Sequence, residues 1–438
     1  MFNKESDVRD WIDGFGYSSG LRTLDHLRIV LAELGNPHDK LKTIHVAGTN
    51  GKGSTVAFLH HVLVCSGLQV GTFTSPHMIS FGERMSINGE PLTRVSLIKY
   101  ANQIAQILGD KKDDHFSSFD VITLISFLHF AQHEVDVVIY ETGMGGRLDA
   151  TNVITPLVCG ITNVGHDHAE ILGETQLARA LEKLGIVKEG IPLFTTEEDP
   201  ELLAQFKQTC TEKNATLNLP LHDAEFIRTV SAGTLFHFRD YRFVKLSMHG
   251  QHQFKNATLA LAMIDYLINQ GLFEIDIEAI YKGLDLTSWP GRFEHIQKDP
   301  LVILDGAHNI EGIKSLIGVL NDVYPKHRKR FIFSAMPTKD AATMIEMLSE
   351  IAVEIIFTKG THPAAVAPEE LYDMADFPGK KVYVFQSFKK VITQVIKNLN
   401  PNEMLVICGS LYFISDARMH LTKLKRESVN DEADRNCN

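Results

Sequence analysis

Residues 45–54 read HVAGTNGKGS, and this stretch constrains the chain more than any other. An apolar run (Ile44, Val46, Ala47) precedes it and reads as a buried strand. After it, from Ser54 to Cys65, Val56, Leu59, Val62 and Leu63 recur at helical spacing. Strand, glycine loop and helix N-terminus together form a phosphate cradle, because free backbone N–H groups and the helix dipole converge on an anion. Gly48, Gly51 and Gly53 let the backbone approach phosphates, and Lys52 supplies compensating charge. The strict G-x-x-x-x-G-K-[ST] spacing is not met. Val46 stands at the first glycine position, and Gly53 separates Lys52 from Ser54. A glycine-rich turn with one lysine is the plainer alternative, but the strand and helix on either side favour a nucleotide phosphate.

Short Val- and Ile-rich runs alternate with helical patterns along the 438 residues. They predict strands at 43–47, 69–73, 135–141, 157–162 and 191–195, then at 301–305, 330–335, 353–358, 381–385 and 404–408. ERMSINGEPL (83–92) holds an Asn88-Gly89 hairpin signal, and 226–248 reads as a small antiparallel meander. The helical segment 119–133 is apolar on nearly every side, so it is expected to be buried. The predicted class is α/β. A P-loop domain (1–295) carries a mostly parallel sheet with a small antiparallel subsheet, a Rossmann-like α/β domain (296–423) follows, and a tail (424–438) is expected to be disordered. The boundary is drawn in LTSWPGRFEHIQKDP (286–300), with its two prolines, glycine and charge cluster.

A net charge of −11 argues against a nucleic-acid or anionic-membrane surface, so an anionic substrate must meet local positive charge. Cys65, Cys159, Cys210, Cys408 and Cys437 are scattered, with neither disulfide-framework nor metal-ligand spacing. No run approaches the ~18 apolar residues of a membrane span, and MFNKESDVRD is not a signal peptide. The expected location is the cytoplasm.

Three further segments carry chemistry. In YETGMGGRLDATN (140–152), Glu141 ends an apolar strand and suits Mg²⁺, a hard cation; a solvated strand-end carboxylate is the alternative. In NVGHDHAEILGETQLARALEKLGIVKEG (163–190), His166 and His168 flank Asp167, which leaves a metal or phosphate role and an ordinary surface role both open. Lys183, on the helix that follows, reads by itself as a solvated residue. In LVILDGAHNIEGI (301–313), Asp305 ends a strand, Gly306 permits a tight turn and Asn309 can cap the next helix. Two strand-end sites in two domains imply a cleft between them.

Together these segments resemble the folylpolyglutamate synthase/dihydrofolate synthase family of Mur-ligase-like amide ligases. The matching pieces are LGNPHDKLKTIHVAGTNGKGST (34–55), TSPHMISFGERMSING (74–89), ETGMGGRLDATNVITP (141–156), DHAEILGET (167–175), EKLGIVKEGIP (182–192), HQFKNATLA (252–260), WPGRFE (289–294), DGAHN (305–309) and GSLYF (409–413), in family order. The resemblance implies an N-terminal P-loop ATPase domain using ATP and Mg²⁺. Thr49, Asn50, Gly51, Lys52, Gly53 and Ser54 would hold the phosphates, and Asn256, Arg292 and Asp305 would contact ATP. Ser75, Glu141 and His168 would coordinate Mg²⁺, and a carbamylated Lys183 would help to bind a second ion, which reverses the plain reading of that lysine. Ser118, Leu148, Asp149 and Ala150 would line a pteroate pocket, and His308 and Ser410 would serve the glutamate side. The implied substrates are dihydropteroate or a reduced folate, with L-glutamate, and the implied state is a monomer.

The chain departs from the family pattern at Leu184 (usually alanine), at Asp120 (usually glutamate), at His166 (usually leucine-like) and at PTKD (337–340), where the first carboxylate of DKD is missing. A muramyl-peptide ligase would carry a sizeable domain before the loop, where only about 45 residues stand here. A P-loop kinase or switch would leave DGAHN, WPGRFE and the second βα series without a role. A degenerate, sensor-like ligase sits poorly with the intact Lys52, Glu141, His168, Lys183 and Asp305.

Overall fold

The computed structural model describes residues 1–16, 23–109, 116–375 and 381–436. Its first sheet contains β1 (Thr43–Ala47), β2 (Val70–Phe73), β3 (Met85–Ile87), β4 (Glu90–Pro91), β5 (Val137–Glu141), β6 (Val158–Ile161), β7 (Leu193–Thr195) and β8 (Leu217–Asn218). The strand order is β4-β3-β2-β5-β1-β6-β7-β8. From β2 to β8 every pairing is parallel, while β3 and β4 add an antiparallel edge. The hairpin between them turns on Asn88 (φ 51°) and Gly89 (φ 84°), the two positive φ angles that match a tight turn to strand twist.

A meander of β9 (Ala224–Val230), β10 (Gly233–Phe238) and β11 (Tyr241–Leu246) follows. The third sheet holds β12 (Glu294–Lys298), β13 (Leu301–Leu304), β14 (Arg328–Phe333), β15 (Ala352–Phe357), β16 (Lys381–Val384) and β17 (Glu403–Cys408), in the order β12-β13-β17-β14-β15-β16. It is parallel except for β12, which runs against β13.

The ten strands expected in the two βα series all form. Two others were not anticipated. β8 is a two-residue edge, too short for any periodicity. β12 sits inside the expected linker, where charged residues and a bulge between His295 and Gln297 obscure its alternation. The chain divides into two compact units, Met1–Ile227, Leu235–Ser247 and His252–Thr287 against Arg228–Thr234, Met248–Gln251 and Ser288–Asn438. That division falls between Thr287 and Ser288 rather than at 295/296, because β12 is a strand of the third sheet.

Helix Ser118–Gln132 is buried along most of its length, as its composition predicts, and packs with Phe73 and Tyr140 in a large apolar cluster of the first unit. Ser117 and Asp120 form its capping box, so the shortened carboxylate at 120 closes a helix end. The last helix runs Leu411–Asn436, over most of the segment whose composition predicts disorder; Lys, Arg and Glu are good helix formers. Among the described residues no helix is long and apolar enough to cross a membrane, and Cys65, Cys159, Cys210 and Cys408 are free thiols.

Candidate active site

In the first unit the carboxyl ends of β2, β5, β1 and β6 lie side by side, and each carries one motif. The loop after β1 opens into helix Lys52–Cys65 through Gly51, whose φ of 86° suits glycine. A Cβ at Gly51 would stand 2.2 Å from Asn256 Oδ1, and one at Gly48 would stand 1.8 Å from Thr162 Oγ1, so neither position tolerates a side chain. The end of β6 holds the loop in place. Asn163 O accepts from Thr49 N (3.0 Å), Asn163 Oδ1 accepts from Asn50 N (3.0 Å), and Thr162 Oγ1 donates to Asn50 O (2.6 Å). Lys52 Nζ donates to Gly48 O (3.0 Å) and Thr49 O (3.2 Å), folded back over the cradle. Ser54 is buried and accepts from Gln253 Nε2 (3.3 Å), whose Oε1 accepts from Asn256 Nδ2 (3.1 Å). Thus Thr49 to Ser54 and Asn256 form one constellation.

Glu141, 4% exposed, ends β5 opposite Val46 and accepts from Ser75 N at 3.3 Å. Two of the expected metal ligands are therefore neighbours. The turn that carries Ser75 is gathered by Glu83, whose carboxylate accepts from Met78, Ile79 and Ser80 N–H groups. Among the described residues no three His, Cys, Asp or Glu side chains form a ready-made cage for an ion. Mg²⁺ does not need one, since it keeps several waters and binds through one or two carboxylates plus substrate phosphates. A carboxylate and a hydroxyl beside a phosphate cradle fit it. His168 sits at φ 52° before the short helix Ala169–Leu172, with Nε2 3.8 Å from Asp167 Oδ1, and His166 is exposed.

Lys183 is not a solvated helix residue: it is 2% exposed. Burial, then the charges of Lys52 and Arg179, push its ammonium down to about 8, against the pull of Asp167 and Glu182. Arg179, one turn earlier, is also buried and donates to Gly165 O, Gly173 O and Glu174 O, clamping the loop that bears His166 and His168. The glycine loop after β5 packs directly on this helix end. A Cβ at Gly146 would meet Glu182 O at 2.9 Å, and one at Gly185 would meet Arg147 Cα at 2.4 Å.

The residues expected to line a pteroate pocket point to different places. Leu148 is half-buried and Ala150 buried. Asp149 turns inward, and its carboxylate accepts from Gly143 N (2.8 Å), Met144 N (3.0 Å), Thr151 N (3.1 Å) and Thr151 Oγ1 (2.6 Å). Ser118 Oγ donates to Ile12 O at 2.8 Å.

In the second unit, WPGRFE and DGAHN meet. Asp305 follows β13, and its carboxylate accepts from Phe293 N and Ala307 N, both at 2.8 Å. Burial pushes its carboxyl up, opposed by the Arg292 guanidinium and those two N–H groups. A Cβ at Gly306 would come 2.3 Å from Arg292 Nη1, which places that guanidinium against the turn. His308 Nδ1 lies 2.7 Å from Gly306 O, and since a carbonyl only accepts, Nδ1 carries a proton; in the neutral imidazole Nε2 then holds the lone pair. Asn309 Oδ1 caps the next helix through Gly312 N (2.8 Å), as its position predicts. Ser410 is buried at the adjoining end of β17, where Gly409 N donates to Ala307 O at 2.9 Å. Arg292, Asp305, His308 and Ser410 therefore share one end of the third sheet.

Asn163, Gln253, Arg179 and Glu83 escaped sequence reading. Each lies within or beside a quoted motif, but strand-end position does not tell that a side chain will serve its neighbour's backbone.

A P-loop unit followed by a second parallel α/β unit with its own strand-end site defines the Mur-ligase class. The Mur ligase middle domain matches residues 46–264, and the Mur ligase glutamate ligase domain matches 291–411. The dihydrofolate synthase/folylpolyglutamate synthase of Bacillus subtilis (strain 168) is 40% identical over 96% of this chain and 100% of its own. Among solved structures, Mycobacterium tuberculosis folylpolyglutamate synthase complexed with ADP is similar at a TM-score of 0.88, with 26% identity over 95% of this chain and 98% of that one. The bifunctional folylpolyglutamate synthase/dihydrofolate synthase of Yersinia pestis complexed with AMPPNP and Mn ion gives 0.84, with 27% identity over 96% and 98%. The chain belongs to the folylpolyglutamate synthase/dihydrofolate synthase family.

Proposed function

We propose that this protein is an ATP-dependent ligase that joins L-glutamate to the carboxylate of dihydropteroate, of a reduced folate polyglutamate, or of both. The observation that carries this reading is the convergence of the phosphate loop, Ser75 and Glu141 at the carboxyl ends of neighbouring strands, with the buried Lys183 electrostatically coupled to Lys52, in a chain of this family. A carboxylate is a poor electrophile. ATP converts it to an acyl phosphate, the glutamate amine attacks the acyl carbon, and phosphate leaves from the tetrahedral adduct. Phosphoryl transfer is mainly positioning and charge neutralisation. The Thr49–Ser54 loop and Lys52 hold the phosphates, and Asn256 positions the loop at Gly51. From the family resemblance, Arg292 and Asp305 are assigned to ATP contact. Ser75, Glu141 and His168 would hold Mg²⁺, which when bound supplies further charge neutralisation.

Lys183 serves as a carbamate, formed when its neutral amine adds CO₂ and loses a proton. A pKa of about 8 leaves roughly a quarter of the amine neutral near pH 7.5, against about 0.1% at the ordinary lysine value. His308 Nε2, in the neutral imidazole, can accept the proton that the glutamate ammonium loses before its nitrogen attacks, with Ser410 beside it on the glutamate side. Leu148, half-buried, serves the pteroate side, while Ala150 is packed into the apolar core. The same reading makes the protein a cytoplasmic monomer whose partners are these small molecules.

The acyl phosphate has a distinctive signature. With the acceptor carboxylate labelled with heavy oxygen, one labelled atom is expected in each released phosphate. Unlabelled phosphate accompanying normal product would mean that the carboxylate is never phosphorylated.

A further inference from the structure

His45 lies in the middle of β1, fully buried, between Tyr140 of β5 and Cys159 of β6. Ala47, two residues on and therefore on the same face, packs with Cys159 and Ile161 in an apolar cluster, so an aliphatic side chain would suit this layer. An imidazole here leaves Nδ1 buried with no hydrogen-bond partner among the described residues, which is unfavourable. Its other nitrogen, Nε2, lies 2.8 Å from Thr151 Oγ1. Thr151 Oγ1 is 2.6 Å from Asp149 Oδ1, and the carboxylate accepts, so the hydroxyl hydrogen points to Asp149. The threonine oxygen must then receive its hydrogen from His45, which is the Nε2–H tautomer. Burial, then the charge of Lys188, hold the imidazole down at about 3, so it stays a neutral donor throughout the working pH range.

The chain of bonds continues to the site. Asp149 Oδ2 collects the N–H groups of Gly143 and Met144, directly after Glu141 and Thr142. Asp149 and Thr151 also bracket Ala150, with Leu148 just before them. We propose that His45 is a positioning residue: through Thr151 and Asp149 it sets the loop that follows Glu141 and presents the half-buried Leu148 to the acceptor substrate. This deepens the ligase reading and rests on it. It also gives Asp149 a different task from lining the pocket, since its four acceptor bonds all stay within the loop.

The test compares His45→Leu, His45→Gln and Thr151→Val in the full chain. Leucine fills the space without a donor, glutamine restores an N–H at similar reach, and valine removes the relay hydroxyl at nearly constant shape. His45→Leu and Thr151→Val are each expected to lower kcat/KM for the acceptor by about 10- to 100-fold, the cost of misplaced reacting groups. The dissociation constant for ADP should change by less than about twofold, because the phosphate loop is anchored by Thr162 and Asn163. His45→Gln should recover most of the loss, and the His45→Leu/Thr151→Val double variant should be no worse than either single one. Hydrogen exchange at the Gly143 and Met144 amides should accelerate in both single variants. That readout needs no turnover, so it tests the relay even if the wild-type protein proves not to be a ligase. Unchanged exchange at those amides, an equal loss of ADP affinity, or a glutamine variant no better than leucine would each overturn the proposal. If His45→Leu does not fold, Thr151→Val carries the same test.

Discussion

Replacing Lys52 by alanine is expected to lower kcat by about 100- to 1,000-fold while leaving the fold intact, the range for deleting one preorganised charge-stabilising donor. Among the described residues the ammonium donates to Gly48 O and Thr49 O, within its own loop. The loop itself is held by Thr162 and Asn163 from β6, so its shape survives the loss. Removing the cation also relieves the repulsion that helps to depress Lys183. The melting temperature should therefore stay within a few degrees of wild type, and affinity for ADP should fall less than kcat. The check is steady-state ADP release beside thermal denaturation of the same preparation. A variant with normal kcat and a raised KM for ATP would show that Lys52 binds ground state and transition state equally.

The second large effect belongs to Lys183. Methionine has similar length and no charge, and the site is 2% exposed. Lys183→Met is expected to lower turnover at least about 100-fold, because both the amine and any carbamate made from it disappear. Stability should move the other way. The folded-state pKa of about 8 lies below the ordinary 10.5, so the fold disfavours the charged amine. That penalty, roughly 3 kcal/mol, is fully present below about pH 8 and is relieved as pH rises toward 10.5, where the unfolded chain loses its proton too. In bicarbonate-free buffer near neutral pH the variant should thus melt higher than wild type. Wild type should also gain activity when bicarbonate is restored, with the label of isotopic bicarbonate retained on the protein; the variant should do neither. Equal melting temperatures, with no response of wild type to bicarbonate, would remove both the buried charge and the carbamate from the account.

Much of this arrangement was legible in the chain. The Val- and Ile-rich runs mark strands because parallel strands are buried on both faces. Each motif falls at a strand's carboxyl end, where open α/β sheets place ligands. The structure brings Ser75 beside Glu141, and Arg292 beside the Asp305–Gly306 turn. What escaped was the destination of individual side chains. Lys183 looks like a helix-surface lysine until the Gly146 and Gly185 contacts show that the helix end is covered. Asp149 and Ser118 look available to a ligand, yet both serve backbone groups nearby. β12 was hidden because an edge strand with a bulge and mixed charge has no alternation to read. His45 lay inside the first motif quoted, but only the register of β1 between β5 and β6 shows that it is buried with one nitrogen committed.

The most direct test of the ligase assignment is glutamate-dependent ADP release by the purified protein with Mg²⁺ and ATP, run in parallel on dihydropteroate and tetrahydrofolate. The account predicts ADP release that requires glutamate and matches amide product one for one on at least one acceptor, with Lys52→Ala nearly silent. Release on both acceptors would define a bifunctional synthase, and release on tetrahydrofolate alone a chain-extending one. ATP binding without glutamate-dependent turnover on either acceptor would contradict the account.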